Sequence, residues 1–273
     1  MLFRSLHDLV AAEDLLALDQ WIVAETLELQ TQLQGHYEDY HFHVAMQKIH
    51  NFCSETLGGF YLDVIKDRQY TTQADSRARR SCQTAMYHVL EAMTRWIAPI
   101  LSFTADEVWE NMPGERDDLG AFTAEWYQGL FPYSNADIDV GAWDLLEQIR
   151  TEVTRTLEVL RQDGKIGSGL DAEVSIHADA ALIERLQGIS EELRFVMITS
   201  SASLAPLEAD ASEGLVKLAD VGRFRVEARP SEHQKCVRCW HHREDVGKHA
   251  GHAELCGRCI ENIDGDGEQR HYA

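Results

Sequence analysis

Four cysteines near the end of the chain constrain its fold more than any other feature. Residues 236–239 read Cys-Val-Arg-Cys, and residues 256–259, after sixteen intervening residues, read Cys-Gly-Arg-Cys. Two Cys-x-x-Cys pairs at this separation are typical of a four-thiolate zinc site, because each pair aims two sulfurs inward and the loop brings the second pair back. We predict one structural zinc ion, with these ligands: Cys236, Cys239, Cys256 and Cys259.

Four thiolates fill a tetrahedron and leave no position for water or substrate, so the predicted site is structural rather than catalytic. Two surface disulfides are the alternative, although paired cysteines in a chain that is not secreted usually bind metal or do redox work. A thioredoxin-like site is less favoured, since the pairs come twice and no strand-to-helix pattern precedes them. The loop also holds histidines that can replace a cysteine as ligand, and we treat them as loop or binding-surface residues: His241, His242, His249 and His252.

A chain of 273 residues is long enough for two compact domains and a small metal-stabilised one. No apolar run approaches the roughly 18 residues of a membrane helix. Residues 1–10 include His7 and Asp8 where a signal peptide is apolar. Cys53 and Cys82 stand alone in helical patterns and are expected to be small buried residues. We expect a soluble cytoplasmic protein in a reducing compartment.

The formal charge of -21 argues against a generic nucleic-acid binder, which is normally basic. The charge is uneven, however. Between residues 66 and 80 only two acids, Asp67 and Asp75, accompany a basic set: Lys66, Arg68, Arg77, Arg79 and Arg80. A polyanion would have to approach through such local patches.

The first half of the chain has helical periodicity. Asp19 is predicted as the N-cap of a first helix, and a second helix from Phe42 to Cys53 is expected to be interrupted by Gly58-Gly59. A long helix is predicted over 76–98, and a capping box at 104–107 is expected to open a short helix through Met112. These segments predict an antiparallel bundle.

The second half mixes helices and strands. We predict a helix from Trp143 to about Leu160, strands over 172–177, 193–199 and within 215–226, and a helix over 180–187. Residues 265–267 are read as a turn or frayed tail. The predicted division is a helical domain at 1–140, a small α/β or α+β junction at 141–230 and a zinc finger at 231–273.

Several long stretches, in a fixed order, resemble a known family. Residues 51–53, 57–62, 66–70 and 98–107 resemble the anticodon-binding helical domain of bacterial isoleucyl-tRNA synthetases, and residues 235–273 resemble the terminal zinc finger of that family. The resemblance implies a mainly α fold: an antiparallel helical bundle, the small junction and the four-cysteine zinc finger.

The family attaches isoleucine to its tRNA using ATP. Its catalytic domain bears His-Ile-Gly-His and Lys-Met-Ser-Lys-Ser signatures, and neither occurs in this sequence. The resemblance therefore implies the C-terminal, tRNA-binding part of such an enzyme, with no catalytic residues and with ATP used only in the catalytic domain. The implied partners are the isoleucine tRNA and the catalytic half of the synthetase, with no membrane, and a monomer is expected.

Binding tRNA needs cations for phosphates and planar groups for unstacked bases. In the bundle the candidates are Lys66, Arg68, Arg77, Arg79 and Arg80. An equally weighted alternative is that they pair with Asp63, Asp67 and Asp75 in an ion network. In the zinc finger the phosphate candidates are Arg238, Arg243, Lys248 and Arg258. Trp240 either stacks on a base or covers the sulfur cluster.

Two other functions stay open at this point. One is a free-standing zinc-dependent RNA-binding module that uses the same bundle and finger. The other is a protein-interaction module without a nucleic acid partner, which the acidic charge favours. A measurement of RNA binding would separate the tRNA-binding part of a synthetase and the free-standing RNA-binding module, which both bind RNA, from the protein-interaction module, which does not.

Overall fold

The computed structural model describes residues 8–114, 120–208, 214–218 and 221–273. The chain divides into two compact units, which we call the helical unit (Met1–Ile65 and Ala74–Ser134) and the sheet unit (Lys66–Gln73 and Asn135–Ala273). Most of the segment 1–10 that was compared with a signal peptide lies outside the described residues, as do residues 219–220 of the predicted strand region. None of the described helices is long and apolar enough to span a bilayer.

Besides a 3-10 turn at Ala12–Asp14, the described part of the helical unit contains five helical segments and the beginning of a sixth. They are α1 (Ala17–Glu38), α2 (Phe42–Asn51), a π-helical segment (Phe52–Tyr61), α3 (Leu62–Thr71, which continues into the sheet unit), α4 (Arg77–Ile97) and α5 (Ser102–Asn111). Its core holds two fully buried indoles, Trp21 and Trp96. Trp21 meets Phe60 edge to face, with ring centroids 5.4 Å apart.

The predicted N-cap role of Asp19 is wrong. Helix α1 begins two residues earlier, at Ala17, and the Asp19 side chain is fully buried. Its Oδ1 accepts a hydrogen bond of 2.7 Å from the Tyr61 hydroxyl, and its Oδ2 accepts one from Ser81. Because a buried carboxylate needs such partners, Asp19 joins three helical segments instead of capping one.

The Gly58-Gly59 pair does not interrupt the helix, contrary to our expectation. Residues 42–71 are helical throughout, and the pair lies inside the wider π-helical turns. A Cβ at Gly58 would lie 3.0 Å from the carbonyl oxygen of Cys53, five residues earlier. Glycine thus permits the close approach that a π turn requires.

The boundaries of the later helices were predicted with mixed success. Helix α4 follows the prediction, with Ser76 as N-cap accepting a 3.3 Å hydrogen bond from the Arg79 amide. Helix α5 begins at Ser102, before the predicted capping box, and its N-cap residue Leu101 makes no side-chain capping bond.

The sheet unit combines helices with a four-stranded mixed sheet. Its elements are α6 (Gly141–Gln162), β1 (Ala172–Ala178), α7 (Ala180–Leu186), α8 (Leu193–Met197), β2 (Ser201–Pro206), β3 (Val216–Leu218), β4 (Gly222–Pro230), β5 (Gln234–Lys235), β6 (His242–Arg243) and α9 (Gly257–Asp264). The strand order is β2-β1-β4-β3, and β5 pairs with β6 as a separate ribbon. Strand β1 is parallel to β2 and antiparallel to β4, with Ile176 opposite both Leu204 and Val226.

One predicted strand is a helix. Residues 193–197 form the short helix α8, and the strand lies further on, at Ser201–Pro206. Four apolar side chains of this run are buried, and a short, fully buried run does not distinguish a strand from a helix by periodicity. Strand β1, by contrast, alternates buried and half-buried residues as its sequence predicts.

The fold class is confirmed as mainly helical with a small mixed sheet and a four-cysteine cluster. The division into domains at 1–140, 141–230 and 231–273 stays a prediction.

Candidate metal centre and charged residues

The four predicted zinc ligands lie together and are buried. Their sulfurs all lie within 4.8 Å of one another, and the Sγ atoms of Cys239 and Cys256 are 3.7 Å apart. Four sulfurs at about 2.3 Å from a tetrahedral zinc ion would be about 3.8 Å from each other. The donor set therefore fits a closed four-thiolate site. The six cysteines, all within the described residues, are free thiols in the structure.

The backbone around the thiols is arranged to stabilise negative charge. The amide of Cys256 points at the sulfur of Cys236, 3.4 Å away. Helix α9 begins directly after Cys256, so the positive end of its dipole lies at the second pair. A Cβ at Gly257 would lie 2.9 Å from the Asp245 carboxylate that accepts its amide hydrogen bond, so a larger residue here would displace that carboxylate.

Hydrogen bonds among the thiols split their acidities. Bonds from Cys239, Cys256 and Cys259 lower the pKa of Cys236 far below its usual value. The same contacts, led by the bond with Cys236, raise the pKa of Cys259. Thiolates this close together repel one another, and a bound divalent cation neutralises them.

The loop histidines have other partners. His242 Nε2 lies 3.3 Å from Asp171, His249 Nε2 lies 3.4 Å from Asp245, and His252 Nε2 lies 2.7 Å from Asp264. His241 is buried beside Asp67, and desolvation lowers its pKa to about 3. Within the described residues, the group that could hold a metal consists of the cysteines alone.

Beside the metal centre, Asp67 is the hub of a buried ion-pair cluster. Its carboxylate receives two hydrogen bonds from Arg258, at 2.6 Å and 2.8 Å, and one of 2.6 Å from Arg270. Glu268 binds the same two arginines, at 3.1 Å and 3.0 Å. Arg258 lies between two of the predicted zinc ligands in sequence, so the cluster connects the cysteine loop to helix α3.

Of the two alternatives predicted for residues 265–267, the structure shows the turn: the amides of Gly265 and Gly267 donate to the Glu261 carbonyl oxygen at 3.1 Å and 3.2 Å. The residues that follow are also held in place. The Glu192 carboxylate accepts backbone hydrogen bonds from His271, Tyr272 and Ala273, at 2.7 Å, 3.0 Å and 2.8 Å. The guanidinium of Arg270 lies 3.2 Å from the ring centroid of Phe195. These contacts bury Arg270 to 4% exposure.

The predicted tRNA contacts differ in exposure. Lys66 and Arg77 are exposed, Arg79 is half-buried, and Arg68 and Arg80 are buried. Lys66 and Arg68 belong to the sheet unit. The helical unit contains the other three: Arg77, Arg79 and Arg80. The ion-network alternative has support at Arg80, which pairs with Asp75 at 2.8 Å.

In the cysteine loop, Lys248 is exposed and Arg243 is half-buried. Arg238 donates a 2.6 Å hydrogen bond to the backbone oxygen of Thr71. Arg258 forms a 2.6 Å ion pair with Asp67. The structure therefore does not gather all ten predicted residues on one surface of either unit.

Trp240 is exposed to 60% although it follows a zinc ligand directly. Its backbone is left-handed, with a φ of 66° that is costly for a bulky residue. The Nζ atom of Lys235 lies 5.8 Å from the ring centroid. More than half of the surface of Trp240 is therefore accessible, and the choice between stacking on a base and covering the sulfur cluster stays a prediction.

Sequence reasoning missed the functional grouping around Asp67. It treated Asp67 as a local partner for neighbouring bases, whereas its partners lie 191 and 203 residues away. It also assigned no role to Arg194, whose guanidinium lies 4.2 Å from the Phe195 ring. The position of Arg258 between two metal-ligating cysteines was a signal that it is buried. Nothing in the neighbouring sequence, however, identifies Asp67 as its partner.

Two segments of the chain match known protein families. Residues 19–176 match the family described as the anticodon-binding domain of tRNA ligase, and residues 234–262 match the zinc finger found in FPG and IleRS. Among curated relatives named isoleucine–tRNA ligase, that of Alcanivorax borkumensis is 52% identical over 272 residues, and that of Alkalilimnicola ehrlichii is 51% identical over 273. Each alignment covers 99% of this chain and 29% of the relative.

A third relative, from Halorhodospira halophila, is 51% identical over 269 residues, which is 98% of this chain and 28% of that isoleucine–tRNA ligase. The chain thus spans less than a third of the length of the curated relatives it matches.

Proposed function

This chain belongs to the anticodon-binding domain family of tRNA ligases, and we propose that it serves as the tRNA-binding part of an isoleucine–tRNA ligase. The observation that carries the proposal is the joint occurrence of two matches in one chain. An anticodon-binding domain precedes a zinc finger of the IleRS type, and the four thiols of that finger fit a closed metal site.

Zinc is the ion that this donor set favours. Four buried thiolates in a tetrahedral arrangement suit Zn²⁺, which has no redox chemistry and forms closed structural sites with cysteine. When bound, the ion neutralises the thiolates and fixes the loop that presents Trp240. Its role is to hold that segment in place, because four ligands leave no position for a substrate.

Trp240 is the residue that we propose for contact with a base. An exposed indole offers about 1–3 kcal/mol of stacking energy to one unstacked base. An aromatic side chain that is 60% exposed on a left-handed backbone contributes less to folding than a buried one, and this placement supports a binding role. Among the cations, Lys66, Arg77 and Lys248 are exposed and are our first choices for phosphate contacts.

The activity of the whole ligase belongs to the same proposal. We infer that the complete enzyme joins isoleucine to its tRNA with ATP, in the cytoplasm and as a monomer, and that another domain performs the chemistry. This chain contributes recognition of the anticodon region. The acidic charge is compatible with that role if binding relies on shape and a few placed contacts rather than a basic field.

The test is binding of the zinc-loaded chain to isoleucine tRNA and to a tRNA with a different anticodon, each titrated across salt concentration. The proposal expects tighter binding of the isoleucine tRNA, with an affinity that falls as salt rises because phosphate contacts release counterions. Equal affinity for both tRNAs, or no binding of either at low salt, would count against anticodon recognition by this chain.

A further inference from the structure

We propose that a polar cavity in the sheet unit, lined by Arg194 and Arg243, is a binding site for a phosphate group. The cavity has a volume of about 540 Å³ and lies between strand β2 and the segment that contains α7 and α8. The site goes beyond the proposed function, because a small phosphate-bearing molecule can occupy it without tRNA.

The cavity is lined mainly by groups that bind phosphate oxygens. Besides the two arginines and Glu191, its polar lining residues are Gln187, Ser190, Ser201 and Ser203. Guanidinium, hydroxyl and amide groups are the side chains that contact phosphates most often in proteins, and a planar guanidinium matches two phosphate oxygens at once. Its size falls within the range of ordinary small-molecule sites, so it admits a nucleotide as well as a bare anion.

Neither arginine has a carboxylate of a described residue within ion-pair distance, although Asp67 acts electrostatically on Arg194 and Asp245 on Arg243 from farther away. Within the part of the chain that the structure describes, neither guanidinium forms an ion pair: Arg194 contacts the Nδ1 atom of His241 at 3.3 Å, and Arg243 contacts the carbonyl oxygen of Ser200 at 3.4 Å. Their neighbours Arg258 and Arg270, by contrast, are neutralised by Asp67 and Glu268.

The electrostatic situation of Arg194 supports the same conclusion. Its burial and the positive charges of Arg243, Arg258 and Arg270 lower its pKa to about 10. The guanidinium stays charged at neutral pH but has lost much of its hydration, so a bound anion would restore the missing stabilisation.

Strand β2 contributes a further feature of the site. It lies at the edge of the sheet order β2-β1-β4-β3 and pairs with β1 alone among the described strands. An edge strand leaves backbone amides on one side without a sheet partner, and residues 201–204 of this strand line the cavity. One acid, Glu191, also lines it and is expected to weaken binding by repulsion.

The phosphate has two possible sources: a free nucleotide or the backbone of RNA. The first arm of the test is calorimetric titration of the zinc-loaded chain with adenosine 5′-monophosphate, with adenosine as the matched ligand that lacks the phosphate. We expect saturable binding of the nucleotide and none of the nucleoside. The second arm adds a single-stranded RNA. If RNA displaces the nucleotide, the site takes backbone phosphates, and if RNA binds without displacing it, the site takes a free phosphate compound.

Variants locate the binding. Arg243→Ala should weaken nucleotide binding at least tenfold, whereas Glu191→Gln should strengthen it. Arg155→Ala is the matched control, because Arg155 is an exposed arginine of helix α6 outside the cavity lining. Zinc content and circular dichroism check that Arg243→Ala remains folded, and Arg194→Lys, which keeps the charge but loses the planar fork, should also weaken binding. The proposal is overturned if the nucleotide does not bind, or if it binds Arg243→Ala and Glu191→Gln as it binds the unmodified chain.

Discussion

The carboxylate of Asp67 accepts two parallel hydrogen bonds from the guanidinium of Arg258, at 2.6 Å and 2.8 Å, although 191 residues separate them. Burial opposes ionisation of Asp67, but the charges of Arg258 and Arg270 outweigh it and hold its pKa well below the usual range. The pair connects α3 to the residue between two metal-ligating cysteines.

Replacing Asp67 by asparagine should therefore destabilise the sheet unit strongly. Asp67→Asn keeps the shape but leaves two buried guanidiniums to share Glu268 as their carboxylate partner, and removal of one member of a buried ion-pair cluster typically costs about 3–5 kcal/mol. The loss in unfolding free energy is measured by denaturant titration. The control is Asp139→Asn, which breaks an exposed pair with Arg185 and should cost about 1 kcal/mol or less. Equal losses for both variants would contradict the role of Asp67.

Removal of one thiol should release the metal and unfold the cysteine loop. Cys256→Ser breaks the tetrahedral donor set, and a segment this short depends on metal binding for its folding free energy. By elemental analysis we expect about one zinc ion per unmodified chain and almost none per variant chain. The helical circular dichroism signal of the variant should be largely kept. Cys53→Ser, which changes a cysteine outside the cluster, should retain the metal.

Trp240 should matter for binding and not for stability. Trp240→Gly relieves the left-handed strain, so we expect unfolding free energy to stay level or rise by about 1 kcal/mol. Affinity for isoleucine tRNA should fall by about 1–3 kcal/mol because one stacked base is lost. Val237→Ala, at an exposed position of the same loop, serves as control. A clear drop in stability with unchanged affinity would favour the covering role.

The helical unit should lose stability on acidification through His88. Its Nδ1 lies 2.7 Å from the Tyr127 hydroxyl, and burial lowers its pKa from 6.5 to about 4. Between these values the unfolded chain binds a proton that the folded chain does not, so stability falls as pH drops through this window, by up to about 1.4 kcal/mol per pH unit.

The measurement is unfolding free energy from pH 7 to pH 4 for the unmodified chain and for His88→Gln, which should show a shallower dependence. His50→Gln, at an exposed histidine of the same unit, should leave the slope as it is. If His88→Gln keeps the full slope, another group is responsible for the acid sensitivity.

Local sequence determined much of this protein. The spacing of the four cysteines predicted the donor set, because two Cys-x-x-Cys pairs define a metal site with little help from the rest of the fold. Helix α4 and strand β1 were also predicted from local sequence. Each buries one regular face, so its apolar residues recur with the period of a helix or of a strand. The order of motifs indicated the family that the comparisons establish.

Tertiary structure decided what depends on distant partners. Asp19 looked like a cap and is a buried junction, because its partners Tyr61 and Ser81 come from other helices. Asp67 looked like a surface charge and is the hub of a buried cluster, because Arg258 and Arg270 reach it only in the folded chain. Burial and the pairing of charges depend on which segments meet in space, and no local pattern encodes that meeting.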